Sequence, residues 1–471
     1  MTSPKLDRYL NVDEVESAIL GLAAEYPQLA RRITLPHQTF EGRTSHALII
    51  GEGSDPVLLL IEQQRRPCVL FTACAHAREW GGAEICLSFA ADLLEAYRTH
   101  AGLKYGNGVY DKETVQRIID ELYVVVLPCV NPDGRHFSQT YTEAPIETRD
   151  AREMWRKNRR VFNGATGVDI NRNHAFLWDY KRYFSPQANS TVASDVASDD
   201  AFHGQAQESE PETRNIHWLL DRLDKRSPPV WPWFPDTLAP HWYVDIHSFS
   251  NSVLYVWGDD ENQTTNPFMD FRSSRWDGIR GTSCSQSTPS PAGCGYQEFI
   301  DKADEMAARD GAATVAEAIS KARGMAYDDI QAFNLKVPLS NGKFPYPTSG
   351  SASDYAYSRH IVSSAVKAHS LVVEFGRLYL PHDLPRSFHP EWPEMAEIVK
   401  EVSSGMLALC ASALTRPNPF LLGPHQRPWT WPWEIWVDRI RKMPDVFRAV
   451  SREAIRTVAA AIEKGISGTR R

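Results

Sequence analysis

The chain has 471 residues, 42% of them hydrophobic, 11% aromatic and 23% charged, a balance that buries a sizeable core and excludes a disordered chain. Its formal net charge of -8, from 51 Lys and Arg against 59 Asp and Glu, argues against a nucleic-acid partner, because phosphate binding needs a basic face. No apolar window of about 18 residues is present, so no transmembrane segment is expected.

The opening MTSPKLDRYLNVDEVESAIL is interrupted by Asp7, Asp13, Glu14 and Glu16 and lacks the basic start and apolar run of a signal peptide, so the expected location is cytoplasmic. Val12, Val15, Ile19, Leu22 and Ala23 recur at helical spacing behind Asn11, predicting a first helix with Asn11 as its N-cap. Residues 45–50 and 68–75 read as strands, the second almost continuously apolar, as a strand buried on both faces would be. A helix follows over 82–97, then a buried strand over 122–130 that stops at the turn signal NPDG. Two polar stretches, about 186–201 and about 260–293, are expected as surface loops. Further strands are expected over 241–246 and 370–375.

This alternation predicts an α/β fold: a mixed, mostly parallel twisted central sheet with helices on both faces, plus a C-terminal helical extension. The expected division is a large domain over 1–408 and a Pro/Trp-rich, helical segment over 409–471. That segment reads as docking through its tryptophans; a membrane-surface or partner contact is the alternative, since tryptophan beside a basic helix also suits a headgroup layer. Among seven cysteines, Cys68, Cys74, Cys86 and Cys129 lie in apolar runs and read as core thiols. Cys284 and Cys294 are close enough for a disulfide, and the odd total leaves at least one thiol free.

Three apolar strands end at polar residues of catalytic type, and in open α/β sheets ligands gather at the carboxyl ends of strands. At the first such end, His76 and Glu79 offer an imidazole nitrogen and a carboxylate oxygen three residues apart; alone, such a pair is weak evidence. His247, past another apolar strand, would complete a two-histidine, one-glutamate set with a fourth position open. A metal so held acidifies a water and polarises a carbonyl. Such a set accepts several divalent ions.

Eight motifs occur in order: HAREW at 76–80, NPDG at 131–134, MWRKNRR at 154–160, GVDINRNH at 167–174, SEPET at 209–213, DIHSFS at 245–250, YPTSGSASDY at 346–355 and VVEFG at 372–376. In these the chain resembles the zinc carboxypeptidases of the carboxypeptidase A and B type, over roughly residues 10–408. The resemblance implies one Zn²⁺ per chain on His76, Glu79 and His247, and peptide or protein C-termini as substrate. It implies Glu374 as the base that takes a proton from the attacking water and returns it to the leaving amine. Arg156 matches the arginine that steadies the oxyanion; periodicity does not choose among Arg152, Arg156, Lys157, Arg159 and Arg160, and the Trp-Arg pair singles it out. Asn171 and Arg172 match the pair that holds the substrate's terminal carboxylate, Tyr346 the mobile tyrosine that closes over it, and Arg78 a residue of the outer subsites. Asp169 is placed to accept from a metal-bound histidine.

The separations on either side of DIHSFS exceed the family's usual ones, so inserted loops are expected around the cleft. Ser353 stands where relatives carry an apolar residue or an aspartate, and its small hydroxyl favours neither type of C-terminal residue. No separate propeptide is read ahead of the first motif, so activation by proteolysis is not expected. The same zinc site acting on N-acyl amino acids or cell-wall peptides is an alternative, as is a non-catalytic binding module on the same fold.

Overall fold

A computed structural model describes residues 6–51, 66–162, 164–186, 192–224, 241–259, 263–281, 296–323, 347–363, 365–377, 379 and 383–415. Tyr346, Cys284, Cys294 and all of the extension beyond 415 lie outside the described residues.

The first helix, α1 (Val12–Glu25), begins at Asn11, whose side chain accepts from the N–H groups of Asp13 and Glu14 while the Glu14 carboxylate accepts from Asn11 N–H. This reciprocal capping box satisfies donors that the helix start would otherwise leave unpaired. Seven strands form the central sheet: β1 (Ala30–Thr34), β2 (His46–Ile50), β3 (Cys68–Ala73), β4 (Tyr123–Leu127), β5 (His241–Ser248), β6 (Ser252–Tyr255) and β7 (Ala368–Phe375), in the order β1-β2-β4-β3-β5-β7-β6. The strand expectations agree with these to within a few residues at each end.

The sheet is less parallel than expected. The central pairings β4–β3, β3–β5 and β5–β7 are parallel, whereas β1–β2, β2–β4 and β7–β6 are antiparallel. The connection from β5 to β6 is only residues 249–251, too short for the crossover that a parallel return demands. Parallel pairing is confined to the strands covered by helices on both faces, which is where such pairing is stable.

Alternate residues of the sheet enter two cores. On one face Val69, Phe71, Val124, Val126, Val244, Ile246, Leu371 and Val373 pack with α1, α2 (Gly81–Arg98), α3 (Lys112–Glu121), α4 (Lys302–Arg323) and α5 (Trp392–Thr415). On the other, Ile49, Leu70, Val125, Leu127 and Tyr243 pack with a helix over Pro211–Asp224 and one over Ala352–Val362. Helices therefore cover both faces, as expected. The helix α5 runs through residue 408. No helix among the described residues is long and apolar enough to cross a membrane.

Cys68, Cys74, Cys86 and Cys129 are buried free thiols, as their apolar settings implied. The 260–293 stretch is more than a surface loop. Its described part pairs Gln263–Thr264 with Glu298–Phe299, packs Phe271 at a tilt against Phe176 and Trp257, and buries Arg280. Arg280 is tolerated inside because Asp277 and the carbonyls of Phe271 and Ser273 accept its N–H groups; polar composition concealed an internally satisfied charge.

A second buried cation, Arg135, fixes the loop edge near the carboxyl end of β3. It is fully buried, donates to Glu84 Oε1 and Leu10 O at 2.8 Å each, and also donates to Trp80 O. Arg135→Met is expected to destabilise the fold by about 3–5 kcal/mol, since it leaves the Glu84 carboxylate buried without its counter-charge. Adding Glu84→Leu should recover much of the loss in chemical denaturation; no recovery would show that Glu84 is not what makes the single change costly.

Candidate metal and catalytic site

The chain leaves β3 through Cys74, whose φ of 56° is left-handed, and turns so that His76 O accepts from Glu79 N–H at 3.2 Å. That turn brings His76 Nδ1 to 2.7 Å from Glu79 Oε1. His247, next to last in β5, places its own Nδ1 2.9 Å from Glu79 Oε2 and 3.1 Å from His76 Nδ1. All three residues are buried, and among the described residues they are the one group with donor atoms close enough to share a metal ion.

The far side of each ring decides what the near side offers. His247 Nε2 lies 2.8 Å from Asp245 Oδ2 and His76 Nε2 lies 3.3 Å from Asp169 Oδ1. A carboxylate there favours Nε2 as the protonated nitrogen of a neutral ring, which leaves each Nδ1 as a donor atom beside the Glu79 carboxylate. Three donor atoms converging between buried carboxylates favour positive charge at their centre, so the donor set fits a divalent metal. The electrostatics agree. Burial alone would lower the His247 pKa, but Asp245 and Glu79 outweigh it and hold the imidazole well above its ordinary value. Burial would likewise raise Glu79, yet His76 and His247 hold it well below the usual carboxylate range.

Asp245 is a functional candidate that the motif reading passed over. Residues 245 and 247 share one face of β5 because a strand repeats every two residues, so the Asp-x-His spacing in DIHSFS carried the signal. Thr72 Oγ1 donates to Asp245 Oδ1 at 2.7 Å and fixes the carboxylate in turn. Asp245→Asn is expected to weaken metal binding about 10–100-fold. A competition titration against a chromophoric chelator measures this, and an unchanged affinity would remove Asp245 from the orienting role.

Glu374 lies directly across from His247 in the parallel register of β7 and β5. It is the one residue of β7 that is not fully buried. Removal from water pushes its carboxyl up to about 8, with His247 opposing the rise, Glu79 adding to it and Arg156 opposing it. Arg156 directs both Nε and Nη2 at Asp169 Oδ2, at 3.0 and 2.9 Å. Asp169 thus touches a metal-site histidine and the guanidinium together. Burial would raise its pKa, but Arg156, His76 and Arg172 outweigh that and hold it well below the carboxylate range.

Asn171 and Arg172 sit on a short 3-10 turn started by Asp169, which accepts from Asn171 N–H at 3.0 Å. Asn171 Oδ1 accepts from Ala352 N–H at 2.8 Å, which ties this turn to the start of the helix carrying Ser353. Ser353 is buried, 3.3 Å from the Ser351 hydroxyl. Arg172 is buried with Nη1 4.0 Å from Asp169. Arg78 lies over the Phe388 ring at 4.2 Å and donates to Met154 O and to Asp200, each at 3.1 Å. The structure therefore gathers His76, Glu79, His247, Glu374, Arg156 and Asp169 into one contiguous set, with Arg172 at its edge and Arg78 on the wall formed by 154, 200 and 388.

Fold and donor set define the class: an α/β protein with a buried His-Glu-His centre at the carboxyl edge of its sheet. The sequence profile described as zinc carboxypeptidase matches residues 15–396, and the chain belongs to that family. Among curated proteins it is 26% identical over 254 residues to carboxypeptidase A2 of Rattus norvegicus, covering 54% of this chain and 47% of that protein. It is 28% identical over 263 residues to carboxypeptidase B of Bos taurus, covering 55% and 49%. The chain thus spans about half the length of these curated relatives. Among solved structures, carboxypeptidase A from Helicoverpa armigera superposes with a TM-score of 0.55 at 21% identity, over 87% of this chain and 75% of that one. Bovine thrombin-activatable fibrinolysis inhibitor, solved with a tick carboxypeptidase inhibitor, gives 0.56 at 17% identity over 87% and 99%. At these identities the likeness shows the fold.

Proposed function

We propose that the chain is a zinc-dependent metallocarboxypeptidase that hydrolyses the last peptide bond of peptides or proteins. The observation that carries this reading is the register of Glu374 beside His247, with both histidine Nδ1 atoms converging on Glu79. Zinc held by His76, Glu79 and His247 supplies a Lewis acid that acidifies water and polarises a carbonyl.

The rest of the chemistry falls to this chain's side chains. Glu374, partly exposed beside the centre, accepts the proton of the attacking water and returns it to the departing amine. Arg156, held by two N–H groups on one Asp169 oxygen, is a fixed positive charge for the oxyanion and needs no rearrangement as that charge develops. Arg172 offers a guanidinium to the substrate's terminal carboxylate. Asn171, its Oδ1 already committed to Ala352 N–H, keeps its amide N–H₂ as a donor. An internal peptide bond has no carboxylate for this pair, which makes the enzyme an exopeptidase.

The test is hydrolysis of N-blocked dipeptides that differ in the C-terminal residue, with and without a chelator, followed by zinc add-back. Release of the C-terminal amino acid that stops with chelator and returns with zinc is the expected result, and the panel also maps the pocket at Ser353. Cleavage of simple N-acyl amino acids alone would replace the substrate class. No release from any substrate with zinc demonstrably bound would replace the activity.

A further inference from the structure

Two buried histidines with no part in the proposed reaction join the turn of Asn171 and Arg172 to the segment packed against it. His174 stands two residues after Arg172, and its backbone N–H donates to Gly350 O at 3.1 Å. Gly350 approaches so closely, at a φ of 64°, that an added Cβ would collide with Arg172 O. Ala352 N–H donates to Asn171 Oδ1 at 2.8 Å, so the turn is tied to residues 350–352 at both of its ends.

The His174 ring extends this seam. Its Nδ1 lies 2.9 Å from His217 Nε2, on the helix over Pro211–Asp224. His217 stacks on Tyr355 of the helix over Ala352–Val362, with ring centroids 3.6 Å apart and planes 10° apart. On its outer side, His217 Nδ1 lies 3.4 Å from Oε1 of the half-exposed Glu208. That carboxylate favours a proton on His217 Nδ1, which leaves Nε2 to accept from His174 Nδ1–H. His174 Nε2 is then a bare acceptor, fully buried and without a partner among the described residues. Such a bond lasts only while one of the two facing nitrogens is bare, because a protonated imidazole has donors alone.

We propose that His174 and His217 are positioning residues, a latch that holds Asn171 and Arg172 ready for the substrate's terminal carboxylate and that opens when the pair takes up a further proton. The role of the latch rests on the assignment of Asn171 and Arg172 to that carboxylate; the pairing of the rings does not. The charged groups facing His217 are Glu208, Asp221 and Arg359, the last already donating to Asp221 at 2.7 Å. Asp169 is the charged group that faces His174. Burial and the neighbouring ring hold His174 well below the ordinary imidazole value, with Asp169 opposing. Burial also lowers His217, with Glu208 and Asp221 opposing and Arg359 adding to the effect. The closed latch therefore disfavours the extra proton, whereas an opened ring takes it at the ordinary value of about 6.5. The closed form is complete at neutral pH and loses ground below about 6.5, by up to about tenfold per pH unit for the first proton.

The experiment follows KM for an N-blocked dipeptide on the zinc-loaded full chain between about pH 7 and pH 5, with zinc content measured at each step. KM is expected to rise about three- to tenfold over that range. His217→Gln keeps an acceptor for His174 Nδ1–H but takes up no proton, so its KM should stay near the parent's neutral value throughout. His217→Phe keeps a ring on Tyr355 without an acceptor, so its KM should be raised already at neutral pH. Histidine NMR on the parent protein should show the two rings titrating as one unit, below the ordinary imidazole range. The latch is overturned if the parent KM does not rise, if His217→Gln rises as the parent does, or if the two rings titrate independently at the ordinary value. Should the Gln variant not fold, His217→Phe with a parent-like neutral KM overturns it equally. Absence of turnover at every pH with zinc bound counts against the peptidase reading, and the NMR titration then decides the pair on its own.

Discussion

Replacing Glu374 by Gln is expected to lower kcat by about 10²–10⁴-fold while leaving the metal bound, the range attributed to a positioned proton acceptor. The substitution keeps the shape of the side chain and its place opposite His247. It removes only the capacity to take a proton. Because Glu374 is not one of the three residues whose donor atoms cluster, zinc content should match the parent protein. Steady-state hydrolysis alongside metal analysis separates the two effects. A variant with full turnover would show that the proton leaves by another route, and one that loses zinc would show that Glu374 belongs to the binding set.

Arg156→Ala is expected to cost about 10²–10³-fold in kcat with a smaller change in KM, as removal of a preorganised oxyanion donor does. The change also strips Asp169 of a hydrogen bond and its ion-pair partner in a fully buried setting, so some loss of stability accompanies it. Arg156→Lys distinguishes these effects. A lysine restores charge to Asp169 but not the planar fork that makes two bonds to one oxygen, so stability should recover further than turnover. If turnover is restored in full, fixed orientation is not what the arginine contributes. If KM rises while kcat holds, Arg156 acts on substrate binding and its assignment to the oxyanion is wrong.

The Arg156–Asp169–His76 contact also explains why the two halves of the site should respond together. One carboxylate accepts from the Arg156 guanidinium and lies 3.3 Å from Nε2 of a metal-site histidine. Disturbance at either end changes the charge and position seen at the other, so substitution of Asp169 is expected to affect metal retention and turnover together.

The sequence by itself determined the pieces that depend on near neighbours. Nearly continuous apolar runs marked β3 and β4, because a strand covered on both faces is apolar along most of its length. Asn11 and Glu14 announced the start of α1 through a box that closes within four residues. His76 and Glu79 announced half a metal site because a single turn suffices to bring them together. Only the tertiary structure decided the rest. The antiparallel edges of the sheet follow from which strands become neighbours, and local periodicity carries no strand order. The meeting of the turn that carries His76 with His247 and Glu374 requires β3, β5 and β7, distant in the chain, to lie side by side in one register. Register is set by the packing of two cores at once, because a slip of one residue would turn every side chain to the wrong face.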